Sequence, residues 1–226
     1  MIYITGDTHG QHDFGKLKRF AAGHTELTKA DYMIIAGDFG GVWSAKTLER
    51  DIKPYADLPF TVLFVDGNHE NFDLLNAYKV ENWNGGKVHK ITDGVIHLMR
   101  GQVYEIDGNS FFTFGGAESI DKYMRTEGVS WWADEVPSYK DGEEAHQNLE
   151  KVGYKVDYIV THSIDEKALY MPPFVSYGFE PFATNRVLSN FEETVKYKHW
   201  YFGHYHIDAK IGDKKTALYQ DIITLY

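Results

Sequence analysis

The chain of 226 residues contains no cysteine. That absence excludes a disulfide framework, a thiolate metal site, an iron–sulfur cluster and a cysteine nucleophile, so any bound metal takes oxygen and imidazole ligands. No apolar run approaches the ~18 residues of a membrane span. The first residues, Met1-Ile2-Tyr3-Ile4-Thr5-Gly6-Asp7, run directly into polar chemistry without the basic flank and apolar stretch of a secretory signal. These absences lead to the expectation of a cytoplasmic protein without membrane contact. Positive charge is also scarce: 23 Lys plus Arg stand against 33 Asp plus Glu, a formal net charge of -10. Such a surface repels phosphate groups on average, so a phosphate-bearing ligand needs a locally positive site, which bound cations can supply. Linkers rich in Pro, Gly and Ser, internal repeats and low-complexity segments are missing too, and residues 1–226 are expected to form a single domain.

What is present is a rhythm of strands and helices. Ile2 to Thr5 is a short β-branched and aromatic run, Phe14 to His24 has the length and pattern of a helix, and Asp31 to Ala36 is a second apolar run. The unit recurs with a helix over Lys46 to Ala56 broken by Pro54, a strand over Phe60 to Val65 and a helix over Asn71 to Tyr78. Continuous apolar strands alternating with helices indicate a sheet covered on both faces. Between Lys87 and Gly116 the pattern changes to short strands (Val95–Met99, Gln102–Ile106, Ser110–Phe114) separated by tight turns. Later segments read as helices ending near Val152 (from Glu143) and Lys196, strands at Asp157–Thr161 and Trp200–Gly203, and closing strands at Asp208–Ile211, Thr216–Tyr219 and Ile222–Tyr226. Ala117 to Lys140 shows no clean period, and a loop this long in a compact domain is often functional.

Five strands end in similar polar clusters: Asp7-Thr8-His9-Gly10, Gly37-Asp38, Gly67-Asn68-His69-Glu70, His162, and Gly203-His204-Tyr205-His206. The carboxyl ends of strands in an open α/β sheet share one edge, where ligand sites form, so these residues are expected to converge. Asp7, His9, Asp38, Asn68, His162, His204 and His206 provide seven oxygen and nitrogen donors, a set suited to Mn, Fe, Zn or Ni rather than to calcium. Seven donors are too many for one four- to six-coordinate ion, whereas two ions sharing a bridging carboxylate use them all.

In order and spacing these blocks resemble the calcineurin-like metallophosphoesterase family, whose signature runs Asp-x-His-Gly, Gly-Asp, Gly-Asn-His-Glu/Asp, a lone His and Gly-His-x-His. The resemblance implies a four-layer αββα fold, a β-sandwich of mixed sheets flanked by helices on both faces. It implies one metal held by Asp7, His9, Asp38 and His206 and another by Asp38, Asn68, His162 and His204, with Asp38 bridging and His69 as the catalytic histidine. The implied cofactors are two divalent ions, manganese foremost, with iron, zinc, nickel or magnesium as alternatives. Gly115 to Asp121, through Arg125 to Ser130-Trp131-Trp132, is similar to a segment of small bacterial and phage members. The second block departs from the phosphoprotein phosphatase pattern Gly-Asp-x-x-Asp-Arg-Gly: it reads Gly37-Asp38-Phe39-Gly40-Gly41-Val42-Trp43, without the second Asp or the Arg. The fourth block has Thr161 before His162 in place of glycine.

The activity expected is hydrolysis of a phosphomonoester or phosphodiester by water activated between two metals roughly 3.5–4 Å apart. His69 stabilises the transition state or protonates the leaving group, oriented by Asp66 or Glu70. Arg125 is a candidate phosphate contact and Trp131 and Trp132 candidate stacking surfaces, set against ordinary aromatic packing and a surface ion pair; Trp43 rims the pocket on the same logic. The remaining six histidines, including His12, His24 and His89, are expected at the surface. The partner is a phosphate-ester substrate; oligomeric state is not legible. The alternative of a noncatalytic scaffold binding a protein partner is disfavoured by the intact His69 and ligand set. A dinucleotide-binding module is disfavoured because Gly6-Asp7-Thr8-His9-Gly10 lacks the Gly-x-Gly-x-x-Gly turn.

Overall fold

A computed structural model describes residues 1–225, so only Tyr226 of the last expected strand lies outside the described residues. The strands are β1 (Ile2–Thr5), β2 (Tyr32–Ile35), β3 (Thr61–Phe64), β4 (Val80–Trp83), β5 (Gly86–Thr92), β6 (Val95–Leu98), β7 (Gln102–Ile106), β8 (Asn109–Phe114), β9 (Tyr158–Thr161), β10 (His199–Phe202), β11 (Ala209–Ile211), β12 (Lys215–Ala217) and β13 (Ile222–Leu225). They form a seven-stranded sheet in the order β13-β1-β2-β3-β6-β5-β4 and a six-stranded sheet in the order β11-β12-β10-β9-β8-β7. Each is parallel at its centre, through β1, β2, β3 and β6 in one and β8, β9, β10 and β12 in the other, with antiparallel strands toward the edges.

Period-two alternation sorts the side chains. In β1 to β3, Ile2, Ile4, Ile34 and Leu63 point into a core shared with Phe111, Tyr158, Val160 and Tyr201 of the second sheet. Their neighbours Tyr3, Met33, Ile35, Val62 and Phe64 point the other way, onto Leu17 of α1 (Gly15–Gly23), Ile52 and Tyr55 of α2 (Leu48–Ala56), and Leu75 of α3 (Phe72–Leu75). The outer face of the second sheet carries Phe112, Phe114, Ile159, Trp200 and Phe202. It is covered by Ala145 and Leu149 of α4 (Tyr139–Lys151), Leu169 of α5 (Glu166–Leu169), and Leu188 and Phe191 of α6 (Ala183–Thr194). Both faces of both sheets are therefore apolar, which is why the strands read as continuous hydrophobic runs. The result is the mixed-sheet sandwich between helical layers.

Two helix boundaries differ from the sequence expectation in an informative way. Helix α2 runs through Pro54 to Ala56, because a proline near the helix end removes one backbone bond without stopping the chain. Helix α4 begins at Tyr139, four residues before Glu143. The Ser138 hydroxyl accepts from the Asp141 amide (3.3 Å) and the Asp141 carboxylate accepts from the Ser138 amide (2.7 Å), a reciprocal cap that starts the helix there. The segment before it contains short turns at Lys122–Met124 and Ala133–Glu135 and is anchored by buried Glu135, which accepts from the Ser119 amide (2.7 Å) and hydroxyl (2.8 Å).

His89 overturns the expectation of a surface position. It is buried on β5 beside buried His97 of β6, and their Nδ1 atoms lie 3.1 Å apart. His97 Nε2 meets Asp66 Oδ1 at 3.2 Å, while Arg100 donates to Asp66 Oδ2 through Nε (2.8 Å) and Nη2 (2.6 Å). The physical reason is compensation: a buried imidazole needs a polar partner, and this ladder supplies one at each step. Burial and the neighbouring His97 push His89 down to about 4, against the pull of Asp66. Burial alone would raise the Asp66 carboxyl, but the charge of Arg100 and the bond from His97 hold it well below the usual carboxylate range.

Replacing Arg100 with alanine strands the Asp66 carboxylate, and losing one partner of a buried pair costs about 3–5 kcal/mol. Urea unfolding of Arg100→Ala at pH 7 should show a loss of that order. Because the folded Asp66 value is depressed, its contribution is present above the unfolded value of about 3.9 and is lost as pH falls below it. The gap between variant and wild type should narrow in acid.

Candidate metal centre

Register brings the five polar clusters to one level. Thr5, Ile35 and Phe64 end their strands as direct neighbours, since Thr5 pairs with Ile35 and Ile35 with Phe64. In the other sheet Tyr201 pairs with Val160, so Phe202 and Thr161 end side by side. The chain leaves each strand at the same rim, and Asp7, Asp38, Asn68, His162 and His204 follow within four residues. Backbone bonds then lock the loops together: the amides of Thr8 (3.0 Å) and His9 (2.9 Å) donate to the Asp38 carbonyl, and Gly203 N donates to the His162 carbonyl (3.0 Å).

One group comprises Asp7, His9, Asp38 and His206, whose ligating atoms all lie within 4.8 Å of one another. His9 Nε2 is 3.3 Å from Asp38 Oδ2, and His206 Nε2 is 3.1 Å from Asp7 Oδ2. Asp7 Oδ2 is fully buried and makes no hydrogen bond. An orphaned carboxylate oxygen is costly unless something cationic completes it, so this donor set fits a divalent ion. His9 is held by Asp13, whose Oδ2 is 2.8 Å from Nδ1, leaving Nε2 to face the group. Lys16 supports the same loop from beneath: its buried ammonium donates to the carbonyls of Gly6 (3.0 Å), Asp7 (2.7 Å) and Tyr219. Burial pulls Lys16 down to about 8, against the charges of Asp7, Asp13 and Asp208.

A second group forms around His162. Its Nε2 lies 3.2 Å from Asp38 Oδ1 and 3.2 Å from Asn68 Oδ1, and its Nδ1 donates to the Ala36 carbonyl (2.9 Å), which leaves Nε2 to face the two oxygens. Asn68 Nδ2 donates to Ser119 Oγ (3.3 Å), which turns the amide oxygen toward His162. The His204 ring is 4.9 Å from that of His162 between centroids. Asp38 thus presents Oδ2 to one group and Oδ1 to the other. Burial disfavours a charged His9 or His162, yet the Asp38 carboxylate carries each up to about 9, with Asp7 adding to both. The field that retains those protons is one a divalent cation can satisfy in their place. Burial and the adjacent His162 push His204 the other way, to about 4, keeping it neutral.

The backbone marks the same residues. Among the described residues, seven non-glycines have positive φ, and four are His9 (43°), Asp38 (47°), His204 (70°) and His206 (51°). Backbone in this sparsely populated region concentrates where surrounding structure over-determines it, commonly at functional sites. Close approach also requires glycine at residue 67, where a Cβ would lie 2.1 Å from Asp38 Oδ1 and 2.8 Å from His162 Nε2.

His69 sits at the mouth. Its amide donates to Asp38 Oδ1 (2.8 Å), and its ring is 5.3 Å from that of His9. Burial lowers its pKa, opposed by Asp38 and assisted by Arg125, His9 and His162. The sequence expectation that Asp66 or Glu70 orients this ring is corrected. Asp66 is engaged by Arg100 and His97, and buried Glu70 accepts from the amides of Phe39 (2.7 Å) and Gly40 (3.2 Å), fixing the loop after Asp38. Burial together with the Asp38 charge pushes the Glu70 carboxyl well up.

Arg125 lines a cleft with Asn68, His69, His204 and His206, and its Nη2 pairs with Asp121 at 2.8 Å. Of the two readings of Trp132, stacking surface and ordinary packing, the structure has the packing: the residue is buried, donates Nε1 to Asp73 (2.8 Å) and packs edge-on against Trp43 at 5.4 Å. Trp131 lies 5.7 Å beneath the Lys122 ammonium. Asp13 and Lys16 were not among the sequence candidates. Asp13 carried a weak signal in its spacing four residues after His9, whereas a lysine in a helical pattern reads as a surface residue.

No helix among the described residues is long and apolar enough to cross a membrane. No curated protein matches the sequence. Solved structures resemble it at low identity. One is a candidate 5'-nucleotidase from Staphylococcus aureus in complex with alpha-ketoglutarate (14% identity, 96% of this chain and 48% of that chain, TM-score 0.49), and this chain spans about half its length. Others are a protein from Thermus thermophilus (11%, 96% and 87%, 0.48) and a phosphopantetheinyl hydrolase from Mycobacterium tuberculosis (14%, 96% and 87%, 0.43). The sequence model of the calcineurin-like phosphoesterases matches residues 1–208, a span that includes every residue of both ligand groups. The chain belongs to the calcineurin-like phosphoesterase family.

Proposed function

We propose that this protein is a metal-dependent phosphoesterase whose site holds two divalent ions, manganese foremost. The observation that carries the reading is the buried, unbonded Asp7 Oδ2 within a compact group of two carboxylates and two imidazoles. Asp7, His9, Asp38 and His206 would hold one ion, and Asp38, Asn68, His162 and His204 the other. The opposed oxygens of Asp38 support its bridging role. When bound, such ions neutralise charge on the phosphoryl oxygens and lower the pKa of water at the site.

The protein's own groups then divide the remaining work. Asp13 and the Ala36 carbonyl hold His9 and His162 in the tautomer that presents Nε2. The water oxygen bonds to phosphorus in line with the departing group, and the ester P–O bond breaks with its electron pair on the leaving oxygen. His69 gives that oxygen its proton and is reprotonated by the proton the water loses. Burial lowers the His69 pKa, a shift that makes its imidazolium the stronger acid while reducing how much of it is protonated at neutral pH. Arg125 borders the cleft through which the substrate enters.

After manganese repletion, elemental analysis should find metal in wild type and in His69→Ala, and little in Asp38→Ala. Hydrolysis of bis-p-nitrophenyl phosphate or p-nitrophenyl phosphate should fall about 100- to 10,000-fold in His69→Ala. Chelation should abolish it and metal should restore it. A metal-loaded wild type inert toward both, and toward nucleotides and short nucleic acids, would instead favour a scaffold that binds a protein partner.

A further inference from the structure

His69 borders two separate cavities. The first, about 530 Å³, also reaches His204 and His206 and is walled by Phe179, Phe182 and Tyr205. The second, about 390 Å³, also reaches His9 and is walled by Trp43, His12 and Arg50. Candidate ligands line both, Asp38, Asn68, His204 and His206 the first and His9 the second. A phosphoryl group seated on these ligands has room for an organic substituent in each cavity. A monoester has only one such substituent, and a diester has two.

Charge points the same way. Beyond the candidate ligands, the first cavity presents Glu118, Asp121 and Glu180 against Arg125, and the second presents Asp51 against Arg50. Each arginine is paired with a carboxylate, Arg125 with Asp121 at 2.8 Å and Arg50 with Asp51 at 2.9 Å. The loop after Asp38 carries no arginine. The first wall is therefore net negative and the second is balanced, so neither offers an unpaired cation to the second negative charge of a monoester or the several charges of a polyphosphate, whereas a diester brings a single charge to the centre. Both walls offer an aromatic surface. Trp43 is fixed by its edge-on contact with Trp132 and by Asn71 Nδ2 donating to its carbonyl (2.8 Å), and Phe182 is 39% exposed. A ring held in place before binding loses little freedom when a ligand stacks on it.

We propose, building on the phosphoesterase reading above, that the substrate is a phosphodiester whose two organic groups occupy the two cavities, at least one of them carrying a planar ring that stacks on Trp43 or Phe182. Hydrolysis adds water across one P–O ester bond and yields a phosphomonoester and an alcohol. The monoester product keeps one arm and gains a charge that the net-negative first wall disfavours, which promotes its release.

Two measurements on the manganese-loaded full chain test this. For wild type, kcat/KM on bis-p-nitrophenyl phosphate should exceed that on p-nitrophenyl phosphate by at least about tenfold, the scale of one added stacking contact. Calorimetric titration of His69→Ala, which slows turnover, should find diphenyl phosphate binding more tightly than phenyl phosphate by a similar factor. Trp43→Ala and Phe182→Ala should reduce both ratios. Equal or better use of the monoester, equal binding of the two phenyl compounds, or ratios unchanged by both substitutions would overturn the diester assignment while leaving a phosphoesterase. A wild type that hydrolyses neither ester would overturn the phosphoesterase reading itself, and the diester assignment with it.

Discussion

The Asp38 carboxylate is the point on which the two sheets meet. It follows β2 of the first sheet, yet Oδ1 is 3.2 Å from His162 of the second, while Oδ2 faces His9 and Oδ1 also accepts from the His69 amide. Its carbonyl receives the amides of Thr8 and His9. One residue in a left-handed conformation therefore sets the positions of donors from three other segments of chain. Burial would raise its pKa, but the charge of His162 and the bonds from His162 and His9 hold it well below the usual carboxylate range. The arrangement is dense with charge in a place where unpaired charge is expensive. Such a cluster persists because the interlocked loops leave each group little alternative, which is the condition for storing strain at a working site.

Much of this was legible in the sequence because the controlling features are local. A strand covered on both faces has to be apolar throughout, and β1, β2, β3, β9 and β10 each announce themselves that way before breaking into polar residues. The rim on which Asp7, Asp38, Asn68, His162 and His204 gather follows from parallel pairing. What stayed hidden depends on contacts distant along the chain. The His89–His97–Asp66–Arg100 ladder has no local signature, since each member alone is an ordinary polar residue. Lys16 sits in an amphipathic helix and gains its role only because three carbonyls surround it. Trp132 was ambiguous for the opposite reason: indoles serve packing and recognition with the same chemistry, and only the partner Asp73 decides. The onset of α4 was readable in Ser138-x-x-Asp141 but was masked by Gly142, a residue unfavourable in helices.

The site is built in depth. Four of the elements facing the rim are oriented by groups behind them: Asp13 behind His9, the Ala36 carbonyl behind His162, Ser119 behind Asn68, and Glu70 behind the loop that carries Asp38. Ser119 is in turn held by Glu135, so the irregular stretch before α4 supports the rim from outside even where it does not line it. Rigid support of this kind separates a cluster that merely contains suitable atoms from one that holds them in a fixed geometry.

The segment beyond residue 208 lies outside the span matched by the family, yet it is woven into the centre. Strand β13 closes the first sheet against β1, the Tyr219 ring stacks on His206 at 4.7 Å, its hydroxyl reaches Asp13 at 3.1 Å, and its carbonyl receives Lys16. The tail therefore braces the loop that carries Asp7 and His9 together with the ring of His206, so side chains from both ends of the chain are held in one place only once the final strands have docked.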